Sequence, residues 1–316
     1  MRKFWWIIFA FIAIILLILA FSGNKNENEM SNISRYSKIP ANAVKITPET
    51  DANPVKSISS EYKTPVPVSV ISSAGAEDSP FILPDGRTLY FFFTPDVKVP
   101  AEKQLLDEVT GIWVSKNVNG QWAEPERVLL QKKGKLALDG CEFVSGNTML
   151  FCSAREGYTG IHWFSALFNE KDFKWEFEKE VQFPESYEVG ELHEYNNEIY
   201  YHSSRAGSKG DLDIWKIKRN SDGSWSEPEN IEIVNTERGD GWPAISPDGN
   251  ELWLSRDYSV WRSKKVNGEW TTPEIMFSPL AGEASVDSGG NVYFVHHYYK
   301  DKVMLEADIY FAEKIN

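Results

Sequence analysis

The stretch DGWPAISPDGNELWLSRDYSVWRSKKVNGEWTTP, residues 240–273, contains each part of a repeat that runs through the chain. A Pro-Asp-Gly turn separates two short apolar segments that alternate with polar residues. Further on, Asn267-Gly268 is a hairpin signal, because both residues tolerate positive φ, and Trp270-Thr-Thr-Pro273 opens a fourth segment. The pattern predicts four short antiparallel strands joined by tight turns.

The Trp-x-x-Pro signature recurs along the chain, with clear copies at residues 122–125 and 225–228, a variant at Tyr62-Lys-Thr-Pro65 and a copy without proline at 175–178. The copies at 62, 122, 175, 225 and 270 are 60, 53, 50 and 45 residues apart. A period in this range indicates stacked supersecondary units. Four antiparallel strands per unit are typical of a propeller blade.

The ends of the sequence predict how the ring closes. The last unit has three predicted strands, near 283–287, 291–296 and 304–313, whereas the copy at residues 62–70 is an outer strand with no inner strands before it. We therefore predict an all-β fold, a five-bladed β-propeller over residues 62–316, closed by this N-terminal outer strand. Such closure hides the exposed edges of the first and last blades.

Residues 4–21 are an uninterrupted apolar run behind Arg2 and Lys3. A helix of this length, at ~1.5 Å per residue, spans roughly 27 Å, close to a hydrocarbon core of ~30 Å. The segment 1–22 is therefore predicted to be a transmembrane signal anchor or, alternatively, a signal peptide cut near Ala20-Phe-Ser22. In both cases the basic flank predicts a propeller outside the cytoplasm, periplasmic or extracellular, tethered in the first case and secreted in the second.

The amino-acid composition indicates the nature of the linker and the class of binding partner. Residues 23–61 are rich in Asn, Ser, Thr, Lys and Pro and predict a flexible polar linker. The net charge is −13, with 46 acidic against 33 basic residues and no basic stripe, which argues against a nucleic-acid partner. We expect a monomeric propeller whose partner is an envelope protein, a peptide or a glycan.

The two cysteines, Cys141 and Cys152, fall on successive predicted strands about the turn Ser145-Gly146. An exported compartment permits a disulfide between them, although the required geometry is narrow. Two readings stay open at this point: a disulfide, or two buried thiols.

Aligning the units places one acidic residue just before each innermost strand: Glu77, Asp139, Glu191, Asp240 and Glu283. Innermost strands of a propeller run in the same direction, so these carboxylates are expected at one mouth of the channel. The loops that open on this mouth begin with Arg155, Arg205, Arg256 and, in the last unit, His296. Trp242, beside one of the acids, adds an aromatic face on which a sugar could stack.

Two interpretations of this mouth compete. In the functional one, clustered carboxylates with an arginine rim form a pocket for a polar ligand or for a cation such as Ca²⁺. In the structural one, the acids accept backbone N–H bonds and pair with the arginines. The five histidines show no metal-ligand spacing, and no familiar catalytic signature is present, so we assign no metal, cofactor or catalytic residue. The tryptophans at repeat positions are expected to pack blade against blade.

The turn Ser246-Pro-Asp-Gly249, the strand Leu252-Trp-Leu-Ser-Arg256 and Trp270-Thr-Thr-Pro273 together resemble the WD-like, Pro-Asp-type repeat of TolB-like propellers. Residues 200–207 and 211–215 match the same repeat, and the resemblance covers about 62–313. It implies an exported binding or scaffold protein. TolB-like propellers often have six blades, whereas the count here is five.

Three functions remain open. The first is a binding module that recognises a protein, peptide or glycan. The second is a glycoside hydrolase, because the layout resembles the five-bladed arabinanase and β-xylosidase kind, with Glu77 and Glu191, or Asp139 and Glu191, as the acid pair. The third is a structural or assembly role. An enzyme predicts two carboxylates in an open cleft, unpaired with arginine, ~5–5.5 Å or ~6.5–9.5 Å apart.

Overall fold

A computed structural model describes residues 34–132, 135–183 and 189–315. The predicted anchor at residues 4–21 lies outside these ranges. Within them, no helix is both long enough and apolar enough to cross a membrane. The helical content is slight: a 3₁₀ turn at Arg35–Lys38 and a short helix α1 at Ala101–Gln104.

The remaining described chain is built from antiparallel strands, as predicted, and each repeat forms one sheet unit. The two strands before the first unit are β1 (Lys56–Ser57) and β2 (Val66–Pro67). Unit 1 contains β3 (Ala76–Ile82), β4 (Thr88–Thr94), β5 (Gly111–Val118), β6 (Gln121–Trp122) and β7 (Glu126–Arg127). Unit 2 contains β8 (Ala137–Ser145), β9 (Thr148–Arg155), β10 (His162–Asn169) and β11 (Lys174–Glu180). Unit 3 contains β12 (Leu192–Tyr195), β13 (Glu198–Ser203), β14 (Asp213–Lys218) and β15 (Glu229–Asn230).

The last two units follow the same plan. Unit 4 contains β16 (Gly241–Ile245), β17 (Glu251–Arg256), β18 (Ser259–Val266), β19 (Glu269–Trp270) and β20 (Glu274–Ser278). Unit 5 contains β21 (Ala281–Val286), β22 (Val292–Lys300) and β23 (Val303–Ala312). The first strands of the units touch in a circuit that runs β3–β8–β12–β16–β21 and back to β3. Repeated meanders with converging first strands are the arrangement of a β-propeller.

The N-terminal outer strand pairs with the last unit, as the sequence predicts. In β2, Val66 lies opposite Phe311 and Pro67 opposite Tyr310, and Tyr62 bridges to Lys314. Strand β1 was not predicted, and it adds to the edge of unit 4 by pairing with β20.

The Trp-x-x-Pro signature marks a different place from the one predicted. In units 1 and 4 its tryptophan ends a small hairpin, β6 or β19, and the outer strand begins only after the proline. Proline has no N–H to donate to the ladder, so pairing lapses there. In unit 2, which has no such proline, the outer strand β11 runs straight through Trp175 and Glu178.

Aromatic pairs join neighbouring units, as predicted for the tryptophans of the signature. Four of the five signature rings meet a second-strand ring of the preceding unit in an edge-on contact, with centroids 6.0–6.3 Å apart: Trp122 with Tyr293, Trp175 with Tyr90, Trp270 with Tyr200, and Tyr62 with Trp253. The fifth, Trp225, lies 5.6 Å from Phe183 in a tilted contact. Such pairs contribute about 0.5–1.5 kcal/mol beyond their buried area. Tyr62 thus makes for unit 5 the contact that the tryptophans make for units 1, 2 and 4.

Residues 34–61 are packed against the sheets, in contrast to the flexible linker predicted for this region. Arg35 is only 1% exposed, and Val55 is buried in the core that units 4 and 5 share. Lys45 pairs with Glu306, and Glu61 pairs with Arg262. The composition of this segment indicated a solvated spacer because it does not show that charged residues such as Lys45 and Glu61 have buried partners in the sheets.

Candidate functional site

The centre of the ring is shaped by a bulge repeated in the first strands. The first strand shifts register against the second after Asp78, Gly140, Gly241 and Gly282. The residue that follows each of these has a left-handed φ of 47–54°: Ser79, Cys141, Trp242 and Glu283. In unit 3, Glu191 follows Gly190 at the corresponding place, without a left-handed φ. We call Ser79, Cys141, Glu191, Trp242 and Glu283 the bulge residues.

All five bulge residues line one cavity of about 40 Å³ at the centre of the ring. Its wall is completed by the residues that follow them, among them Glu142 and His193. Ligand sites for small molecules usually measure about 300–1,000 Å³. This cavity has room for water or an ion rather than for a sugar ring.

Three of the five predicted acids do not line this cavity, and each of them is ion-paired with a buried arginine. Asp139 accepts from Arg155 Nη2 at 2.7 Å, and Asp240 accepts from Arg256 Nε at 2.5 Å. Both carboxylates are fully buried. The structural interpretation is therefore correct for these two acids and their arginines.

Glu77 is the third neutralised acid, and its partner comes from an unexpected place. Arg35, in the segment predicted to be a flexible linker, donates to Glu77 Oε1 at 2.8 Å, and Ser73 donates through its N–H and its hydroxyl. Burial, together with the charge of Asp308, raises the pKa of Glu77 to about 7, against the opposing pull of Arg35.

Glu191 and Glu283 occupy a different position in the repeat from the other three. They are bulge residues, two places later than Glu77, Asp139 and Asp240 when the units are superposed on their strand pairing. The alignment by acidic residues was therefore two residues out of register in units 3 and 5. The signal that would have corrected it is glycine: Gly190 and Gly282 align with Gly140 and Gly241.

Glu191 and Glu283 share one hydroxyl. Ser79 Oγ lies 2.9 Å from Glu283 Oε2 and 3.4 Å from Glu191 Oε1, so these two carboxylate oxygens are at most 6.3 Å apart (2.9 + 3.4). Burial and the charge of Asp78 raise the pKa of Glu191 to about 8, although hydrogen bonds from Ser79 and Trp242 oppose the shift. Burial of Glu283 and the charges of Asp78 and Glu191 raise the pKa of Glu283 well above its usual value.

Two neighbours of this pair were missed by the sequence reasoning. Asp78 stands in unit 1 where the other units have glycine, and its charge helps to raise the pKa of Glu283. Oxygen atoms of Asp78 and Glu283 and an imidazole nitrogen of His297 all lie within 4.8 Å of one another. Glu142 is 6% exposed, and both of its carboxylate oxygens lack a hydrogen-bond partner among the described residues.

The prediction of His296 as a channel residue is wrong. Its Nε2 lies 2.9 Å from Asp51 Oδ2, and its ring packs edge-on against Tyr298 and Tyr310. Neighbours on a strand point to opposite faces, and the histidine beside Asp78 and Glu283 is His297.

The rim arginines stack on aromatic rings, and two of them, Arg155 and Arg256, also pair with acids. Arg155 lies over Phe164 at 4.4 Å, Arg256 over Trp261 at 4.8 Å, and Arg205 over Trp215 at 4.9 Å from the ring centroids. The acid predicted for the unit of Arg205 is Glu191, whose contacts are with Ser79 and Trp242 instead. The arginines therefore belong to the frame of the ring.

Trp242 lines the cavity, and its ring lies 5.0 Å from the imidazole of His202 in a tilted contact. Its backbone N–H donates to His202 Nδ1 at 3.1 Å, which fixes the bulge of unit 4.

The cysteines are joined by a disulfide, with Cα atoms 5.4 Å apart. Cys141 is a bulge residue of β8, and Cys152 on β9 lies opposite the preceding residue, Gly140. The link therefore ties the cavity wall to the second strand of unit 2.

No family profile matches the sequence, and no curated protein is similar to it. Among solved structures, the chain resembles an endo-arabinase from Bacteroides thetaiotaomicron, with 13% identity over 79% of this chain and 96% of that one and a TM-score of 0.49. A thermostable family-43 glycoside hydrolase matches with 13% identity over 77% and 90% of the two chains and a TM-score of 0.46. A structure from Agrobacterium tumefaciens assigned as TolB matches with 14% identity over 83% and 97% and a TM-score of 0.40. Nothing about the site follows from resemblances of this level.

Proposed function

We propose that the protein is an extracytoplasmic binding module: a closed five-bladed propeller that is held at the membrane by residues 4–21 and recognises an envelope protein, peptide or glycan. The partner would contact the mouth around the bulge residues. The observation that carries the proposal is that Glu191 and Glu283 hold two carboxylates without an arginine partner among the described residues, at the centre of a rigid ring.

The geometry favours recognition over turnover. The five first strands form a closed circuit of contacts, and edge-on aromatic pairs join four of the five signature rings to the preceding unit. A frame of this kind positions polar groups without large movement, which lowers the cost of binding. The cavity of about 40 Å³ would accept a small cationic or hydroxyl-bearing group of a larger partner, rather than a whole substrate.

The test is binding to glycan and peptide arrays by the full-length chain, followed by affinity measurement on any hit. We expect Glu191→Gln to weaken binding at least about tenfold, a loss of roughly 1.4 kcal/mol, while the melting temperature is kept. The matched control is Glu227→Gln, on an exposed acid, which should bind like the wild type. Unchanged binding in Glu191→Gln would refute the assignment of the mouth.

The location is tested separately. The mass of the N-terminus in the mature protein distinguishes an uncleaved anchor from a protein that begins near Gly23. Protease added to intact cells should degrade the propeller if it lies outside the cytoplasm, and full protection would contradict this proposal.

A glycoside hydrolase is the second candidate, and one observation favours it. Glu191 and Glu283 have oxygens at most 6.3 Å apart, compatible with the ~5–5.5 Å separation of a retaining pair. A pKa near 8 would keep Glu191 protonated, as a general acid requires. The candidate acid pair is now Glu191 with Glu283. The pairs predicted from the sequence used Glu77 or Asp139, and these two carboxylates are bound to Arg35 and Arg155.

Aryl α-L-arabinofuranosides and aryl β-D-xylosides are the appropriate substrates for this candidate. Hydrolysis that falls at least about a hundredfold in both Glu191→Gln and Glu283→Gln would establish it. Rates equal to the uncatalysed background with the folded wild type would remove it.

A further inference from the structure

We propose that a divalent cation binds in the channel between Asp78, Glu283 and His297. This inference goes beyond the proposed function and does not depend on it, since a cation can hold the ring together whether or not a partner binds. Asp78 lies on β3, Glu283 on β21 and His297 on β22, so the site joins unit 1 to unit 5.

The donor atoms are already close enough to share an ion. One oxygen of each carboxylate and one nitrogen of the imidazole lie within 4.8 Å of one another. Ligands about 2.0–2.2 Å from a common metal are separated by at most about 4.4 Å. Only a small inward movement of these side chains is therefore needed for coordination.

A second observation points to a missing partner. His297 is only 8% exposed, and its Nδ1 has no hydrogen-bond partner among the described residues. Leaving a buried polar atom unpaired costs free energy. A metal ion that accepts the nitrogen lone pair would remove this cost.

The surrounding charge also favours a cation. Glu191, together with Glu142 on the same cavity wall, brings further carboxylates to the centre, and the described residues include no lysine or arginine ion-paired with Asp78, Glu191 or Glu283. Asp78 and Glu283 lie close enough that a proton held between their carboxyl groups would satisfy both without a metal. A shared proton is thus the competing occupant, and the experiment must separate the two.

The donor set indicates the kind of ion. Imidazole nitrogen suits zinc and other late transition metals, whereas carboxylate oxygen suits manganese as well. Two carboxylates with one imidazole therefore favour Mn²⁺ or Zn²⁺ over Ca²⁺, which prefers oxygen ligands throughout. Water in the adjoining cavity of about 40 Å³ could complete the coordination.

The test is isothermal titration of the full-length, chelator-treated chain in detergent with Mn²⁺ and, separately, with Zn²⁺. We expect one ion per chain, and affinity at least about tenfold weaker in Asp78→Gly and in Glu283→Gln. Asp78→Gly gives unit 1 the residue that the other units carry at this place, namely Gly140, Gly190, Gly241 and Gly282. The control Asp301→Asn, on an exposed hairpin at the end of β22, should titrate like the wild type.

A spectroscopic readout identifies the nitrogen ligand. Electron spin echo of bound Mn²⁺ should show coupling to an imidazole ¹⁴N in the wild type and lose it in His297→Gln. If His297→Gln does not fold, the Asp78→Gly titration still decides the question. Absence of saturable binding, or equal affinity in the wild type and Asp78→Gly, would overturn the proposal and leave the shared proton as the occupant.

Discussion

Two sets of carboxylates lie near the mouth of the same ring and have opposite surroundings. Asp139 and Asp240 are fully buried and bound by Arg155 and Arg256. Glu191 and Glu283 face a cavity two positions further along the repeat and share the hydroxyl of Ser79. Position within the repeat thus decides whether a carboxylate supports the frame or stands at the site, although the functional group is the same.

The largest expected effect comes from breaking the frame. Arg256→Ala would leave Asp240 as an unpaired buried charge, and we expect a loss of about 3–5 kcal/mol in the free energy of unfolding. Urea denaturation measures it. Lys63→Ala, which breaks the exposed pair with Glu313, is the control and should cost at most about 1 kcal/mol. Similar losses in the two variants would erase the distinction between buried frame pairs and surface pairs.

Removing Arg35 should cost less than removing Arg256. Burial raises the pKa of both Glu77 and Asp240, but that of Glu77 reaches about 7, so this carboxyl can take up a proton near neutral pH when its partner is lost. We expect about 2–3 kcal/mol for Arg35→Ala at pH 6. A wild-type melting curve for this variant would show that residues 34–61 do not brace the ring.

Histidine at the site gives a pH test of the same comparison. Burial lowers the pKa of His202 to about 4 from the usual 6.5, so the unfolded chain binds the extra proton first as the pH falls. The stability that the neutral imidazole of His202 contributes is therefore fully present above pH 6.5 and is lost progressively as the pH falls toward 4. We expect the difference in unfolding free energy between wild type and His202→Gln to shift by roughly 1–2 kcal/mol in favour of the variant from pH 7 to pH 5. If the difference in unfolding free energy did not change with pH, the imidazole of His202 would be exposed to water in the folded protein.

The smallest effect is expected at the centre. Burial opposes the ionisation of Glu191, so replacing this carboxyl with an amide removes an unfavourable charge. The unfolding free energy of Glu191→Gln at pH 8 should therefore stay within about 0.5 kcal/mol of the wild-type value or rise above it. Chemical denaturation at pH 8 is the measurement. A loss as large as that of Arg256→Ala would make Glu191 a frame residue.

Much of the frame is predictable from the sequence because it repeats. Turn residues, the spacing of the Trp-x-x-Pro copies and the orphan copy at Tyr62 indicate the strands, and β2 pairs with β23 as expected. The outer strands were placed too early, because the proline that identifies the motif also interrupts pairing just before them.

The site is less predictable because it consists of departures from the repeat. Asp78 replaces a glycine, and Glu191 and Glu283 replace the small or apolar residues at the bulge, so an alignment that seeks one acid per unit conceals the difference. Alternation along β22 separates His296 from His297 without saying which faces the channel. Arg35 lies outside the repeat altogether, and no periodic pattern could have paired it with Glu77.

The most direct test of the two classes is a pair of double-mutant cycles on unfolding free energy, one on Asp240 and Arg256 and one on Glu191 and Glu283. We predict interaction energies of opposite sign: a favourable coupling of about 2–3 kcal/mol for the ion pair, and an unfavourable coupling of about 0.5–1 kcal/mol for the two carboxyls at pH 8. A favourable coupling of similar size in both cycles would contradict this prediction.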